Sequence, residues 1–206
     1  MTFGITDMMT SLAVIFVLLL VVFASTPRAA DAPPPPPPAP ASADTAREAL
    51  RELTGLGLVL QTDAADPHVL RLVVPESLLN FEFGRSELTA PAARFLGEVM
   101  PLYARAMCGP LRDRVAGIVI EGHTDDLGGD TVNLRLSQER SFRVLVRGLE
   151  AIRAAAPGDH DCFAALASAS GRGKQDLVYD AERRLDRESS RRVIFKIILR
   201  PAAPSA

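Results

Sequence analysis

At 206 residues and a formal charge of −2, with acidic and basic residues mixed along the chain, there is length for one ordinary folded domain plus an anchor and a linker. That balance lacks the broad basic face that neutralises phosphates, so nucleic acid is excluded as an expected partner. Two cysteines, Cys108 and Cys162, are too few for a disulfide scaffold and lack zinc-site companions; whether they bridge in an oxidising compartment or remain separate buried thiols is open at this level.

The first predicted element, over residues 1–25, is apolar from Met8 to Ala24 and, with Phe3 to Thr6, reaches the roughly 20 residues that cross a hydrocarbon core as a helix. No Lys or Arg precedes the run and Asp7 stands there instead, which favours a spanning helix over a cleaved signal peptide. Flanking charge leaves its orientation undecided. Asp7, Thr10 and Ser11 fall at i, i+3 and i+4, on one helix face. A carboxylate costs about 2.5–3.5 kcal/mol at the bilayer centre, so this face suits a partner helix or a wet cavity; the plainer alternative has Asp7 capping the helix in the headgroup region. Residues 26–45 form a Pro-rich linker whose six consecutive prolines, Pro33 to Pro38, favour a stiff polyproline II spacer. Residues 46–56 read as a short amphipathic helix, with Ala46, Leu50 and Leu53 at helical spacing.

From 57 to 200, strand and helix signals alternate. Strands are predicted over Val69 to Val74, ended by Pro75, over Val115 to Ile120, and over Val193 to Leu199 with Val193, Phe195, Ile197 and Leu199 on one face. A helix capped by Thr89, with Pro91 in its first turn, buries Phe95, Leu96, Val99 and Tyr103, and Pro101 is expected to kink or divide it. A longer helix, about Asn133 to Ala155, presents Phe142, Leu145, Leu149 and Ile152 as its apolar face. Ala164 to Ser170 is a weaker strand, followed by a turn at Gly171-Arg172-Gly173. The expected class is α+β, a two-layer α/β sandwich with helices on one mixed sheet, followed by a short tail at 201–206.

Two segments carry a family resemblance. Asp7-Met8-Met9-Thr10-Ser11-Leu12 with Phe16 resembles the start of the transmembrane helix in MotB-type stator subunits. The resemblance implies that Asp7, with Thr10 on the same face, carries a proton or sodium ion in a channel shared with a MotA-like or ZorA-like multi-pass subunit, and that residues 46–56 could plug it. Burial raises a carboxyl pKa, which lets such a group load on one side and discharge on the other. Glu121-Gly122-His123-Thr124-Asp125, then Gly128, Asn133, Leu136-Ser137 and Arg140, resembles the OmpA-like peptidoglycan-binding domain, with support from Phe81 to Leu88, Gly171-Arg172-Gly173 and Arg191-Arg192-Val193.

In that family the turn aspartate and the arginine fifteen residues later bind diaminopimelate, here Asp125 and Arg140. Thr124, Asn133, Leu136 and Arg191 complete the implied site, with Asn133 fixing the turn into the helix. A carboxylate facing a guanidinium reads the ammonium and carboxylate of one amino acid together, whereas the bland reading of the same pair is a loop-to-helix salt bridge. His123 beside Asp125 and Asp126 reads as a structural histidine rather than a metal ligand. Ser190 stands where the family has Asn, and the proline expected after Gly173 is missing, which puts the pocket rim in doubt.

No nucleophile and base constellation, phosphate loop or metal spacing is present in the sequence, so the expectation is a non-enzyme with no cofactor beyond a transported H+ or Na+. The resemblances together imply a homodimeric inner-membrane protein, N-terminus cytoplasmic and folded domain periplasmic, that couples ion flow to a wall-anchored motor. The ZorB subunit of the Zorya anti-phage system, which resembles MotB, is the nearer setting. A flagellar stator or a purely structural tether from membrane to wall are the alternatives.

Overall fold

The computed structural model describes residues 15, 18, 48, 50, 58–82 and 84–201 of the chain. Residues 1–37 form one unit and 38–206 another. In the first, Ile15 and Leu18 are helical with exposed side chains. The expected spanning helix with Asp7 and Thr10, and the Pro-rich linker, lie outside the described residues. Among those described, no helix is long and apolar enough to cross a membrane.

The second unit runs β1 (Val59–Thr62), β2 (Val69–Pro75), α1 (Ala90–Cys108), β3 (Val115–His123), α2 (Asp130–Ala155), a 3-10 turn (Pro157–Asp159), α3 (His160–Leu166), β4 (Ala167–Gly173), β5 (Val178–Tyr179), β6 (Leu185–Asp186), α4 (Arg187–Ser190) and β7 (Arg192–Leu199). Five strands make one sheet in the order β1-β2-β7-β3-β4, and β5 pairs with β6 apart from it. Three neighbouring pairs are antiparallel and β3/β4 is parallel, so the sheet is mixed as expected. A parallel pair needs a long crossover, and α2 with α3 supplies it.

Period-2 alternation makes β2, with Leu70, Leu72 and Val74 buried and Val69, Arg71 and Val73 half-buried. The last strand enters the middle of the sheet, and Val193, Phe195, Ile197 and Leu199 are all buried, as the alternation predicts. Leu50, on a helical residue of the predicted 46–56 segment, is fully enclosed in the same core; the rest of that segment lies outside the described residues apart from Glu48, also helical.

Helix α1 starts as its sequence predicts: Thr89 Oγ1 accepts from Ala92 N at 3.4 Å, and proline occupies the first turn. Pro101 does not divide the helix, which continues to Cys108. An internal proline costs about 3 kcal/mol, but Leu96, Val99, Met100, Tyr103, Ala104 and Met107 are buried on both sides of it, and their packing holds the helix through the break.

Helix α2 begins at Asp130, earlier than predicted; of its expected apolar face Ile152 is buried and Leu145 and Leu149 pack half-buried against the core, but Phe142 does not join them. Phe142 is 55% exposed, while Asn133, Ser137, Arg140, Ser141, Val144, Gly148, Ala151 and Ile152 are buried. Close approach to the sheet accounts for the small side chains. A Cβ added at Gly122 would lie 2.3 Å from the carbonyl oxygen of Ser137, and one at Gly171 would lie 2.4 Å from the amide of Gln138. No bulky side chain fits between the layers there, so the large apolar residues sit to the side.

Residues 164–166 finish α3 rather than starting a strand, and Gly171-Arg172-Gly173 belongs to β4 rather than to a turn. The parallel register continues through Gly122↔Gly171 and His123↔Gly173. Gln138 fixes this edge strand by accepting from Gly171 N at 2.7 Å, and Ser137 Oγ accepts from Gly173 N at 2.8 Å. Cys108 and Cys162 form a disulfide across 54 residues of sequence, tying the end of α1 to α3.

Candidate binding site

The site lies where β3 leaves the sheet and β7 enters it. The two strands are neighbours, with Gly122 opposite Val193, so the turn after His123 sits beside Arg191. Thr124 is buried, donates its backbone N–H to the Gly173 carbonyl at 2.9 Å, and has a hydroxyl that is enclosed without a hydrogen-bond partner. Asp125 is 8% exposed; its Oδ1 accepts from Leu127 N at 3.1 Å and its Oδ2 from Arg191 at 2.9 Å. Asn133 holds the loop as expected, donating to the Leu127 carbonyl at 2.8 Å. Asp126 receives both Arg187 Nε at 2.7 Å and an Nη at 3.1 Å, which clamps this loop to α4. That bidentate pair lowers the Asp126 pKa.

Arg191 bridges two carboxylates, giving Nε to Glu76 at 2.7 Å and Nη1 to Asp125. Burial alone lowers its pKa, but hydrogen bonds to Glu76 and Asp125 outweigh that and raise it. Arg140, one turn beyond the half-buried Leu136 on α2, is only 8% exposed. It donates Nε to the Arg85 carbonyl at 2.9 Å, and its guanidinium carbon stands 4.8 Å from the centre of the Phe81 ring. Burial lowers its pKa, while Glu76 and Asp125 support the charge. Arg140 and Arg191 line a small cleft together with Glu76, Leu79, Phe81 and Gly122, and Asp125 reaches it through its bond to Arg191.

The structure thus brings Thr124, Asp125 and Asn133 into one loop region beside Arg191, with Arg140 across the cleft from it, while Leu136 is half-buried one turn before Arg140 on α2. The salt bridge that forms is Asp125 with Arg191, so the loop-to-helix pair of Asp125 with Arg140 is not made among the described residues. Sequence reasoning missed Glu76 and gave no role to Phe81 or Arg85. The segment containing the last two was legible as a motif, and it folds back with Phe81 bridged to Leu88 and Gly84 at φ +67°. Glu76 carried no signal beyond following Pro75. Ser190, at the rim, is fully buried and useful: its hydroxyl donates to the Asp186 carbonyl at 2.6 Å and accepts from Val178 N at 2.9 Å.

His123 is buried, with Nδ1 3.3 Å from the Gln175 carbonyl and Nε2 3.8 Å from Glu121, and no cluster of metal-ligating side chains occurs among the described residues. The cleft can therefore offer a carboxylate and two guanidiniums to a ligand bearing both signs of charge.

No family model matches the chain, and no curated protein matches it. Solved structures do. A MotB-like protein from Desulfovibrio vulgaris is 26% identical with a TM-score of 0.55, the match covering 78% of this chain and 98% of that one. The periplasmic domain of Helicobacter pylori MotB is 18% identical with a TM-score of 0.49, covering 70% and 81%. The cell-wall anchor of the type VI secretion system of Pseudomonas aeruginosa is 21% identical with a TM-score of 0.47, covering 75% and 96%. The Desulfovibrio structure shares the mixed-sheet α/β fold described above.

Proposed function

We propose that the folded domain grips peptidoglycan through diaminopimelate, and that the whole chain is the MotB-like subunit of an ion-driven inner-membrane motor, of the ZorB type used against phage. The observation that carries the wall-binding half is the buried Asp125 carboxylate held among Arg191, Glu76 and Arg140. The D-amino-acid end of diaminopimelate carries an ammonium and a carboxylate on one carbon. Its ammonium takes the place of Arg191 at Asp125, and its carboxylate meets the guanidiniums of Arg140 and Arg191. The family resemblance adds Thr124 and Leu136 to the set that meets the ligand. Similarity to the Desulfovibrio MotB-like protein supports the reading.

The motor half rests on Asp7 and Thr10 in the apolar N-terminal segment, paired with a MotA-like partner. Anchoring and conduction need each other, because a motor without a fixed frame turns its own frame.

Two sets of variants in the full chain separate the halves. Asp125→Ala and Arg140→Ala each lose co-sedimentation with purified sacculi while keeping the wild-type circular dichroism spectrum; retained sedimentation in both moves the wall site elsewhere. Asp7→Asn keeps sacculus binding and abolishes ion-driven activity in cells, and an unchanged activity leaves only a structural tether.

A further inference from the structure

The sheet has a second polar surface, on the side opposite Leu70, Leu72 and Val74. There an open groove is walled by Arg71 from β2, Arg192 and Lys196 from β7, and Arg172 from β4, with Asp63 and Asp176 at its edge. Arg71 and Lys196 are directly paired across β2 and β7. Like charges opposite each other on neighbouring strands destabilise a sheet unless something offsets them. The carboxylates present do so incompletely. Lys196 has Glu121 at 2.9 Å, but Asp63 stands 3.9 Å from Arg71 and Asp176 stands 3.7 Å from Arg172.

Both of those arginines bury an Nε–H that has no hydrogen-bond partner, an arrangement costing about 1–3 kcal/mol for each donor left so. Arg192 donates to the carbonyls of Ser189, Ser190 and Asp176 and has no carboxylate in ion-pair contact among the described residues. Burial lowers its pKa and the charge of Arg71 lowers it further, while Asp176 and Glu121 partly offset this. Four cations therefore face one groove against three carboxylates, with two donors unspent.

We propose that this groove is a binding site for a phosphate group. The cationic side chains come from three strands, β2, β4 and β7, which suits a tetrahedral oxyanion with three or four acceptor oxygens better than a planar carboxylate served by one arginine fork. The groove adjoins the wall-binding cleft at Arg192, which lines both, but Arg71, Arg172 and Lys196 lie outside that cleft, and the proposal does not depend on the wall-binding reading. Arg191 and Arg192 are consecutive but serve different partners, Arg191 reaching Asp125 and Glu76 while Arg192 reaches the Asp176 carbonyl. The phosphate comes either from free inorganic phosphate or from the phosphodiester of a lipid headgroup.

Equilibrium dialysis of the full chain in detergent against radiolabelled inorganic phosphate, and in parallel against glycerophosphoglycerol as the soluble headgroup diester, tests this. Binding with a Kd of about 1 mM or tighter is expected for one of the two, and which one identifies the source. Arg71→Gln and Arg172→Gln, which remove the donors without touching Arg192 and its carbonyl contacts, weaken that binding about tenfold each while sacculus sedimentation stays as in wild type. Absence of binding to both probes, or binding that survives both substitutions, overturns the proposal.

Discussion

Replacing Gly122 with alanine tests the account of how the site is built. The added Cβ lies 2.3 Å from the Ser137 carbonyl oxygen and 3.1 Å from its carbon, and both belong to the backbone of α2 rather than to a side chain that can swing away. Ordinary contact begins near 3.4 Å, so the helix must retreat by about 1 Å in a closely packed interior. Overpacking of this kind costs about 1–3 kcal/mol. Retreat also stretches the bonds from Gly173 N to Ser137 Oγ and from Gly171 N to Gln138 Oε1, worth about 1 kcal/mol each. The expected loss is about 3–5 kcal/mol, a fall in Tm of about 10 °C for a domain of this size. Gly97→Ala is the matched control, because nothing lies within 4 Å of its added Cβ, and alanine in a helix interior gains up to about 1 kcal/mol. The chain has no tryptophan, so unfolding is followed in urea by circular dichroism at 222 nm, on the full chain in detergent. A Gly122→Ala stability within about 1 kcal/mol of Gly97→Ala would falsify the close approach of α2 to β3.

Two further perturbations follow from the same structure. The Cys108–Cys162 bridge closes a loop of 54 residues that contains β3 and α2, so the double serine variant, or reduction of the native chain, is expected to lose about 4 kcal/mol; a Tm indifferent to reductant refutes the bridge. Burial alone raises the Glu121 pKa, but the Lys196 ammonium 2.9 Å away and the adjacent His123 outweigh it and bring it from 4.5 down to about 2. Because the unfolded chain takes up this proton first, the stabilisation is complete above about pH 4.5 and is lost as pH falls toward 2. Glu121→Gln should cost about 1–2 kcal/mol at pH 7 after allowance for solvent screening, and the gap to wild type should close by pH 2; a gap constant with pH contradicts the pairing with Lys196.

The strands of the domain were legible because alternation reports burial directly: Leu70, Leu72 and Val74, or Val193, Phe195, Ile197 and Leu199, could face only one way. Helix α2 was read in part, with Leu145, Leu149 and Ile152 packed on the core as expected, and the remainder of its inward face was missed for the converse reason. Its inward face is Ser137, Ser141 and Gly148 with Asn133 and Arg140 among them, and a pattern scored on apolar bulk turns toward Phe142, which is exposed. Small residues bury little area but allow two backbones to approach, and that signal is visible only when Gly122 and Gly171 on the facing strands are considered together. The start of β4 was lost similarly, since Ala167 to Gly173 contains no bulky apolar residue.

The residues of the binding cleft were legible through family resemblance, but their partnerships were not. Asp125 with Arg191, Arg191 with Glu76, and Arg140 with a backbone carbonyl are joined across 66, 115 and 55 positions. A carbonyl acceptor leaves no mark in sequence whatever its position. These partnerships give the two arginines unequal parts. Arg140 is fixed between the Phe81 ring and the Arg85 carbonyl, so it presents a charge whose position is set before any ligand arrives. Arg191 is shared between Glu76 and Asp125, and it can keep the first while yielding the second. On the proposed reading, an incoming ammonium replaces one cation at Asp125 with another, so the buried carboxylate is never left without a counter-charge, and the freed guanidinium turns to the carboxylate on the same carbon. Exchange of partners, rather than creation of a new buried charge, is what makes a cleft this enclosed compatible with a zwitterionic ligand.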